Sequence, residues 1–336
     1  MGGVSKMSEA YKSVFHEEIR IHMELRREEL GHEAYRHYKR TVKLFDDYLC
    51  QINHRKKEIS EPIVEEWIKE VSKGISINTA GQHVHYIRQL LLYLTNCGYR
   101  CFIPRNVIIR DTYIPYLYSD EELASIFALA DSLKAPHAVK NVYIENEMPM
   151  LLRLLLCCGL RVGEALNIKA GDIDFQRNLI ILRVTKKYKQ RLVPYEEKLA
   201  DIIYRYCAAM GILTDSEAYL FPTIDKDISL TSNTVRNYFK EILTAAGIQN
   251  DMLKNHERGA CLHCLRHTFA VKSFDKNERN GIKACDSVPF LSTYLGHDSL
   301  YETEKYLKYS GDYFADTLTR FEAFAGDLFP EVTFDE

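Results

Sequence analysis

The sequence predicts a mainly α-helical protein of two domains: an all-helical N-terminal domain, then a mostly helical domain of mixed α/β character carrying a small antiparallel sheet. Three observations lead there. Apolar residues recur at three- and four-residue intervals, as in Val84, Ile87, Leu91 and Leu94, the stripe of a helix facing a core. Leu179 to Val184 and Arg191 to Pro194 flank the basic tip Lys186-Lys187-Tyr188-Lys189-Gln190, the pattern of a β-hairpin. Finally, 336 residues, at a prior of about 150 per domain, imply two cores.

In chain order, Leu30 to Tyr48 mixes apolar and basic residues as a helix does, and Pro62 suits the first turn of a second helix bearing Val64, Trp67, Ile68 and Val71. A third helix is expected from Thr79 to about Tyr93, with His83, Arg88 and Gln89 facing outward. Gly98, Pro104 and Pro115 punctuate a connection through Tyr118. Ser119-Asp120-Glu121-Glu122 then opens the second domain as an N-cap followed by first-turn acids. Met150 to Leu166 predicts a strongly apolar helix, followed by the hairpin and by helices over Glu196 to Met210, Thr231 to Gly247, Leu262 to Phe274 and Pro289 to Leu295. The charged stretch from Asp275 to Gly281 is expected to be a surface insertion. Phe314, Leu318, Phe321, Ala325 and Leu328 space out an amphipathic helix in an acidic tail.

Composition sets looser bounds. A hydrophobic share of 46% is that of an ordinary globular protein. No run approaches the roughly 18 to 20 apolar residues of a membrane span, and residues 1–14 lack the apolar centre of a secretory signal. A cytoplasmic, nucleoid-associated location is expected. Nine cysteines, including the adjacent Cys157 and Cys158 in an apolar run, favour reduced thiols over a disulfide framework. The net charge of −3 offers no bulk attraction for phosphates. Its distribution is uneven: residues 1–118 hold 18 basic and 15 acidic side chains, whereas residues 311–336 hold one and seven.

Chemistry-bearing motifs concentrate in the second domain. Gly159-Leu160-Arg161-Val162-Gly163-Glu164 and His263-Cys264-Leu265-Arg266-His267 each present an arginine. Leu295-Gly296-His297 follows, with Tyr306 nine positions after His297. Cleaving a phosphodiester without a metal requires neutralised non-bridging oxygens, a nucleophile, an acceptor for its proton and an acid for the departing oxygen. Arg161 and Arg266 offer planar, bidentate donors. His263 lies three residues before Arg266 and shares its helix face, whereas His267 is expected to point elsewhere. A phenol is a poor nucleophile at neutral pH, but two arginines and an imidazole beside Tyr306 would favour its ionised form.

In this order of Arg, Lys, His-x-x-Arg, Gly-His and Tyr, the chain resembles the tyrosine recombinases of the phage integrase family over roughly residues 30 to 310. The resemblance implies site-specific DNA recombination through a 3′-phosphotyrosyl intermediate, with neither metal, cofactor nor ATP, of the integrase or excisionase type found in mobile elements. It assigns Arg161, Lys186, His263, Arg266, His297 and Tyr306 as catalytic, Tyr306 as the nucleophile ahead of Tyr309 and Tyr301, and Glu164 as a supporting acid. Lys186 falls on the family's hairpin lysine, with Lys187 and Lys189 one slip away. The implied layout is an N-terminal extension (1–19), a SAM-like core-binding domain that contacts DNA (20–112), a linker (113–118), a catalytic domain (119–310) and a tail (311–336). The partner would be double-stranded DNA, bound in the synaptic complex by a homotetramer whose tails dock in trans, without membrane attachment.

Three rivals come from other readings. Cys261, His263, Cys264 and His267 echo half a zinc site, but a metalloprotease helix needs Glu after its first His and position 264 is Cys, and no second Cys-x-x-Cys completes a structural site. An inactive DNA-binding protein would not need every catalytic position. A type IB topoisomerase would share nucleophile and clamp but relax DNA alone.

Overall fold

Charged side chains dominate the stretch from His16 to Glu29, yet a few apolar residues at helical spacing organise it around a core. The computed structural model describes residues 11–107, 115–134, 143–183, 190–248 and 259–309. The chain divides into two units, Met1–Thr112 and Tyr113–Glu336.

In the first unit, α1 (His16–Glu29), α2 (His32–Gln51), α3 (Glu61–Val71) and α4 (Ile77–Asn96) surround Phe15, Ile19, Val42, Phe45, Leu49, Val64, Trp67, Ile87, Leu91 and Leu94. Helix α1 was not anticipated. It buries only Ile19, His22 and Met23 among charged neighbours, too narrow a stripe to read as a period. Its entry is held by the buried Asp46, which accepts the backbone N–H groups of Lys12 and Ser13 at 2.9 and 3.0 Å. Helix α4 starts on Ser76, whose hydroxyl accepts the Thr79 N–H at 3.1 Å. His83 and Arg88, expected to face outward, are half-buried and engaged: His83 Nδ1 is 2.7 Å from Thr41 Oγ1, and Arg88 donates to the Pro104 carbonyl at 2.6 Å. The unit is not purely helical either. Two-residue strands β1 (Glu58–Ile59) and β2 (Arg100–Cys101) pair in parallel, a span too short to carry any sequence period.

The second unit is mostly helical with one three-stranded antiparallel sheet, as expected of it. Helix α5 (Asp120–Asp131) begins at the N-cap the sequence announced, and the structure makes it a capping box: the Ser119 hydroxyl accepts the Glu122 N–H, and Glu122 accepts the Ser119 N–H. The expected helix from Met150 to Leu166 is instead two, α6 (Ile144–Cys157) and α7 (Val162–Leu166). Gly159 breaks it with a positive φ of 59°, and a Cβ there would lie 2.4 Å from the Phe269 ring, so no other residue fits. Strands β3 (Ile173–Asp174), β4 (Leu179–Leu182) and β5 (Arg191–Pro194) form the sheet in that order, with Ile180 opposite Val193. The hairpin tip, 184–189, lies outside the described residues.

Helices α8 (Glu197–Ala209), α9 (Ser232–Ala245), α10 (Leu262–Arg279), α11 (Ala284–Leu295) and α12 (Leu300–Glu304) follow, and a 3₁₀ turn, Lys305–Tyr309, comes last. Residues 275–279, expected as an insertion, are the last turns of α10. The tail beyond residue 309 lies outside the described residues, as does its expected amphipathic helix.

One core carboxyl is a liability. Glu147 in α6 is 1% exposed and neither oxygen has a hydrogen-bond partner. Burial pushes it up to about 8. The folded state therefore holds a proton that the unfolded chain releases near its ordinary value, and stability falls as pH rises from about 5 through 8, fully so above that. Glu147→Leu is expected to flatten this decline and raise stability at pH 9 by up to roughly 4 kcal/mol. Urea melts of both proteins at pH 5, 7 and 9 check it, and parallel pH profiles would contradict it.

Candidate active site

The break at Gly159 leaves Arg161 extended at the N-cap of α7, where the chain turns back on itself: Glu164 accepts the Arg161 N–H at 2.9 Å and its Nη1 at 2.8 Å. The same carboxylate receives both terminal nitrogens of Arg191, at 2.9 Å each, from the first residue of β5. Arg266, from the first turns of α10, brings Nη1 to 3.9 Å from Glu164. Three guanidinium groups thus converge on one carboxylate. Burial would raise Glu164, but the hydrogen bonds and charge of Arg191, and then Arg161, hold it down at about 2.

The same arginines grip the end of α11. Arg191 Nε donates to the Tyr294 carbonyl at 3.0 Å, Arg266 Nη2 to Leu295 at 2.8 Å, and Arg161 to Gly296 at 3.3 and 3.4 Å. These are the carbonyls a helix leaves unpaired, at the negative end of its dipole. Arg266 Nη1 also donates to the Gly159 carbonyl at 2.6 Å, tying the α6–α7 break to α11. Gly296 sits at φ 67°, and a Cβ there would meet Arg191 Nη1 at 2.8 Å, so its glycine is required twice over. Arg266 is 1% exposed, and burial, then the charge of Arg161, pushes it down to about 9, still a cation at neutral pH. The Arg161 side chain is 31% exposed and forms the open side of the cluster.

Tyr306, in the 3₁₀ turn after α12, is buried with its hydroxyl 2.8 Å from His267 Nδ1. Its ring stacks on His297 at a centroid distance of 6.2 Å. His297 Nδ1 shares a 2.6 Å hydrogen bond with Thr303 Oγ1. Burial pushes both His267 and His297 down to about 3, aided by neighbouring imidazole and guanidinium charge. Both rings are therefore neutral at physiological pH. His263 is exposed, its ring edge-on to His267 at 4.5 Å.

Arg161, Glu164, Arg266, His297 and Tyr306 thus share one neighbourhood, with His263 at its rim beside His267. Two expectations need correction. His267 does not point away: its place four residues after His263 puts both on one helix side, and it is His267 that meets Tyr306. The phenolate is not favoured in this state, because burial raises the Tyr306 hydroxyl more than the charges of Arg266 and Arg161 lower it. Lys186, with Lys187 and Lys189, lies outside the described residues, as does the side chain of Tyr309. Tyr301 is 63% exposed with Lys305 Nζ over its ring, away from this arrangement. Arg191 and Thr303 were missed. A strand-end arginine and one threonine among many carry no motif, and only the spacing of His263 and His267 held a readable signal. Among the described residues no three metal-ligating side chains converge, and no helix is long and apolar enough to cross a membrane.

Comparison with known proteins adds an independent line. The model of the Phage integrase family matches residues 119–311. The chain is 29% identical over 216 residues to a putative integrase/recombinase, y4rB, of Sinorhizobium fredii, covering 62% of this chain and 66% of that protein. It is 27% identical to a tyrosine recombinase of Pseudothermotoga lettingae over 80% of this chain and 85% of the relative. With the tyrosine recombinase XerH of Campylobacter jejuni it shares 29% identity over 59% of this chain, spanning half of that relative. Among solved structures, XerH site-specific recombinase bound to a palindromic difH substrate superposes with a TM-score of 0.66 at 18% identity, over 87% of this chain and 81% of that one. A lambda integrase dimer bound to a core site gives 0.62 at 14% identity, over 86% and 93%.

Proposed function

As this chain belongs to the phage integrase family of tyrosine recombinases, we propose that it recombines double-stranded DNA at specific sites, with Tyr306 as the nucleophile. The observation that carries this reading is a charge imbalance. Three guanidinium groups surround one carboxylate, two of them, Arg266 and Arg161, near enough to act on the Tyr306 hydroxyl, and the excess positive charge, drawn partly out of water, calls for an anion. A phosphodiester supplies that charge, and the planar donors of Arg161 and Arg266 fit its non-bridging oxygens.

In this mechanism the scissile phosphate takes the open donors of Arg161, the donors that Arg266 has left over from Gly159 and Leu295, and a hydrogen bond from His297. That imidazole is neutral and can accept from Thr303 at Nδ1, leaving Nε2–H to donate. Tyr306 attacks phosphorus, a P–O bond to the phenol forms, and the bond to the 5′ oxygen breaks. The phenolic proton passes to the imidazole pair, through His267 Nδ1 or His263, once the bound phosphate draws the site together. Lys186 protonates the departing 5′ oxygen. A 5′ hydroxyl from a second duplex then reverses these steps, so strands are exchanged with the bond energy stored in the phosphotyrosyl link. The unit before residue 112 contacts backbone phosphates with its basic side chains and sets register. Four protomers act pairwise on two duplexes, with tails docked in trans, on the DNA of the nucleoid.

A nicked suicide substrate tests the reading: the purified chain is expected to leave a covalent protein–DNA adduct on a denaturing gel, without added metal. No adduct on any attachment-type sequence would overturn it, and relaxation of supercoils without exchange between duplexes would favour the topoisomerase reading. Lys186→Ala is expected to slow cleavage by about 10² to 10⁴-fold, with recovery on a substrate whose leaving oxygen is replaced by sulfur. The same recovery seen for Lys187→Ala or Lys189→Ala, and not for Lys186→Ala, would move the acid.

A further inference from the structure

Two thiols lie side by side where α10 begins. Cys261 is the N-cap residue, and Cys264, one turn into the helix, brings its sulfur to 3.4 Å from that of Cys261. The turn is fixed on both sides. The Cys261 carbonyl accepts the Cys264 N–H at 2.9 Å and the Tyr118 hydroxyl at 3.0 Å, and Cys264 Sγ reaches the Gly259 carbonyl at 3.7 Å. Cys264 is buried, whereas Cys261 is half-buried. His263 stands between them in sequence, its ring 4.5 Å from His267, which holds the Tyr306 hydroxyl.

We propose that Cys261 and Cys264 form a dithiol site for oxidants of the hydroperoxide class, and that closing it to a disulfide suppresses DNA cleavage, the second clause resting on the function proposed above. Exposure sets the order of events. The Cys261 sulfur, as thiolate, attacks the outer peroxide oxygen. The O–O bond breaks, the released oxygen leaves as water with the proton shed by Cys261, and a sulfenic acid remains. The Cys264 sulfur then attacks the Cys261 sulfur: an S–S bond forms, the S–O bond breaks, and hydroxide departs with the Cys264 proton as a second water. Two thiols lose two electrons and two protons, and one hydrogen peroxide becomes two waters.

A disulfide requires the sulfurs about 2.05 Å apart and a narrow range of Cβ separation. The pair at 3.4 Å is close enough for attack but has to close by more than an ångström, which tightens the first turn of α10. His263 rides on that turn. Its displacement disturbs the contact with His267 and so the partner of Tyr306, whose alignment governs the reaction. The alternative is that both thiols are merely small apolar fillers.

The test uses the full chain, treated with hydrogen peroxide, alkylated, digested and analysed by mass. The peptide spanning Cys261 and Cys264 is expected to lose two hydrogens, resist alkylation and regain both thiols with dithiothreitol. In parallel, adduct formation on the suicide substrate is expected to fall by about tenfold or more and to recover on reduction. Cys261→Ser should keep full basal cleavage and lose the sensitivity, and Cys264→Ala should do the same if it folds. Alkylation of Cys261 and Cys264 after peroxide, with reaction confined to the exposed Cys50, Cys97, Cys157 or Cys285, overturns the site. A disulfide that leaves cleavage unchanged overturns the suppression. Reduced protein that yields no adduct contradicts the cleavage reading and the suppression with it, while the disulfide itself is decided by mass alone.

Discussion

Tyr306→Phe is expected to abolish the protein–DNA adduct altogether while leaving DNA binding and the thermal midpoint within a few degrees of the parent. The substitution removes one oxygen from a buried ring and spares its packing against His267 and His297. It also removes the 2.8 Å hydrogen bond to His267, a loss of about 1 kcal/mol. The family spacing from Gly296-His297 favours Tyr306 over Tyr309, and Tyr301 is exposed with Lys305 over its ring. Tyr301→Phe and Tyr309→Phe are therefore expected to retain the adduct. His267→Phe makes a useful companion: the ring volume stays, the hydroxyl partner goes, and cleavage is expected to slow without vanishing. An adduct that survives Tyr306→Phe and disappears in Tyr309→Phe would move the nucleophile along the turn.

Arg266→Lys should lower cleavage by about 10² to 10³-fold, the scale of losing one preorganised donor to a developing anion. The charge is conserved, so the loss is one of geometry. The guanidinium spans two carbonyls, Gly159 and Leu295, from opposite ends of its fork, and one ammonium cannot reach both. A buried carbonyl is then left unsatisfied, at a cost of about 1 to 3 kcal/mol, so a lower thermal midpoint is expected as well. Arg161→Lys separates the two effects. Its side chain is 31% exposed, and cleavage is expected to fall similarly while the midpoint hardly moves. Equal loss of stability in both variants would contradict the distinction between a buried clamp that also braces the fold and an open one.

The parts of this site that were legible in sequence are those set by local chain geometry. Ser119 ahead of Asp120, Glu121 and Glu122 announced a helix start, because an N-cap hydroxyl and first-turn acids both suit that end of a helix. Gly296-His297 announced a helix end, and the glycine is indeed left-handed there. Arg161, Arg266 and Tyr306 could be named because a phosphodiester demands donors and a nucleophile of those types, in an order the family shares. What stayed hidden depends on contacts across the chain. Arg191 reads as one more basic residue near a basic hairpin, and its place on Glu164 arises only when β5 packs beside α7. Thr303 is one hydroxyl among many until α12 folds back to His297. The raised phenol of Tyr306 is a matter of burial, which composition does not report. The break after Cys157 escaped because apolar periodicity runs through it, and only the packing of Phe269 and Leu295 against Gly159 shows why the helix stops. His267 is the instructive case. Its spacing from His263 reads in sequence as the echo of a metal motif, whereas the same geometry serves a hydrogen bond to a phenol.

The central claim is that the Tyr306 oxygen becomes bonded to a DNA phosphorus held by Arg161 and Arg266. Trapping the wild-type protein on a nicked suicide substrate, digesting both protein and DNA and reading the modified peptide by mass tests it directly. The account predicts a nucleotide 3′-phosphate attached to the peptide that contains Tyr306, fragmenting at that residue. A nucleotide carried by any other side chain, or a 5′-phosphate linkage, would contradict it.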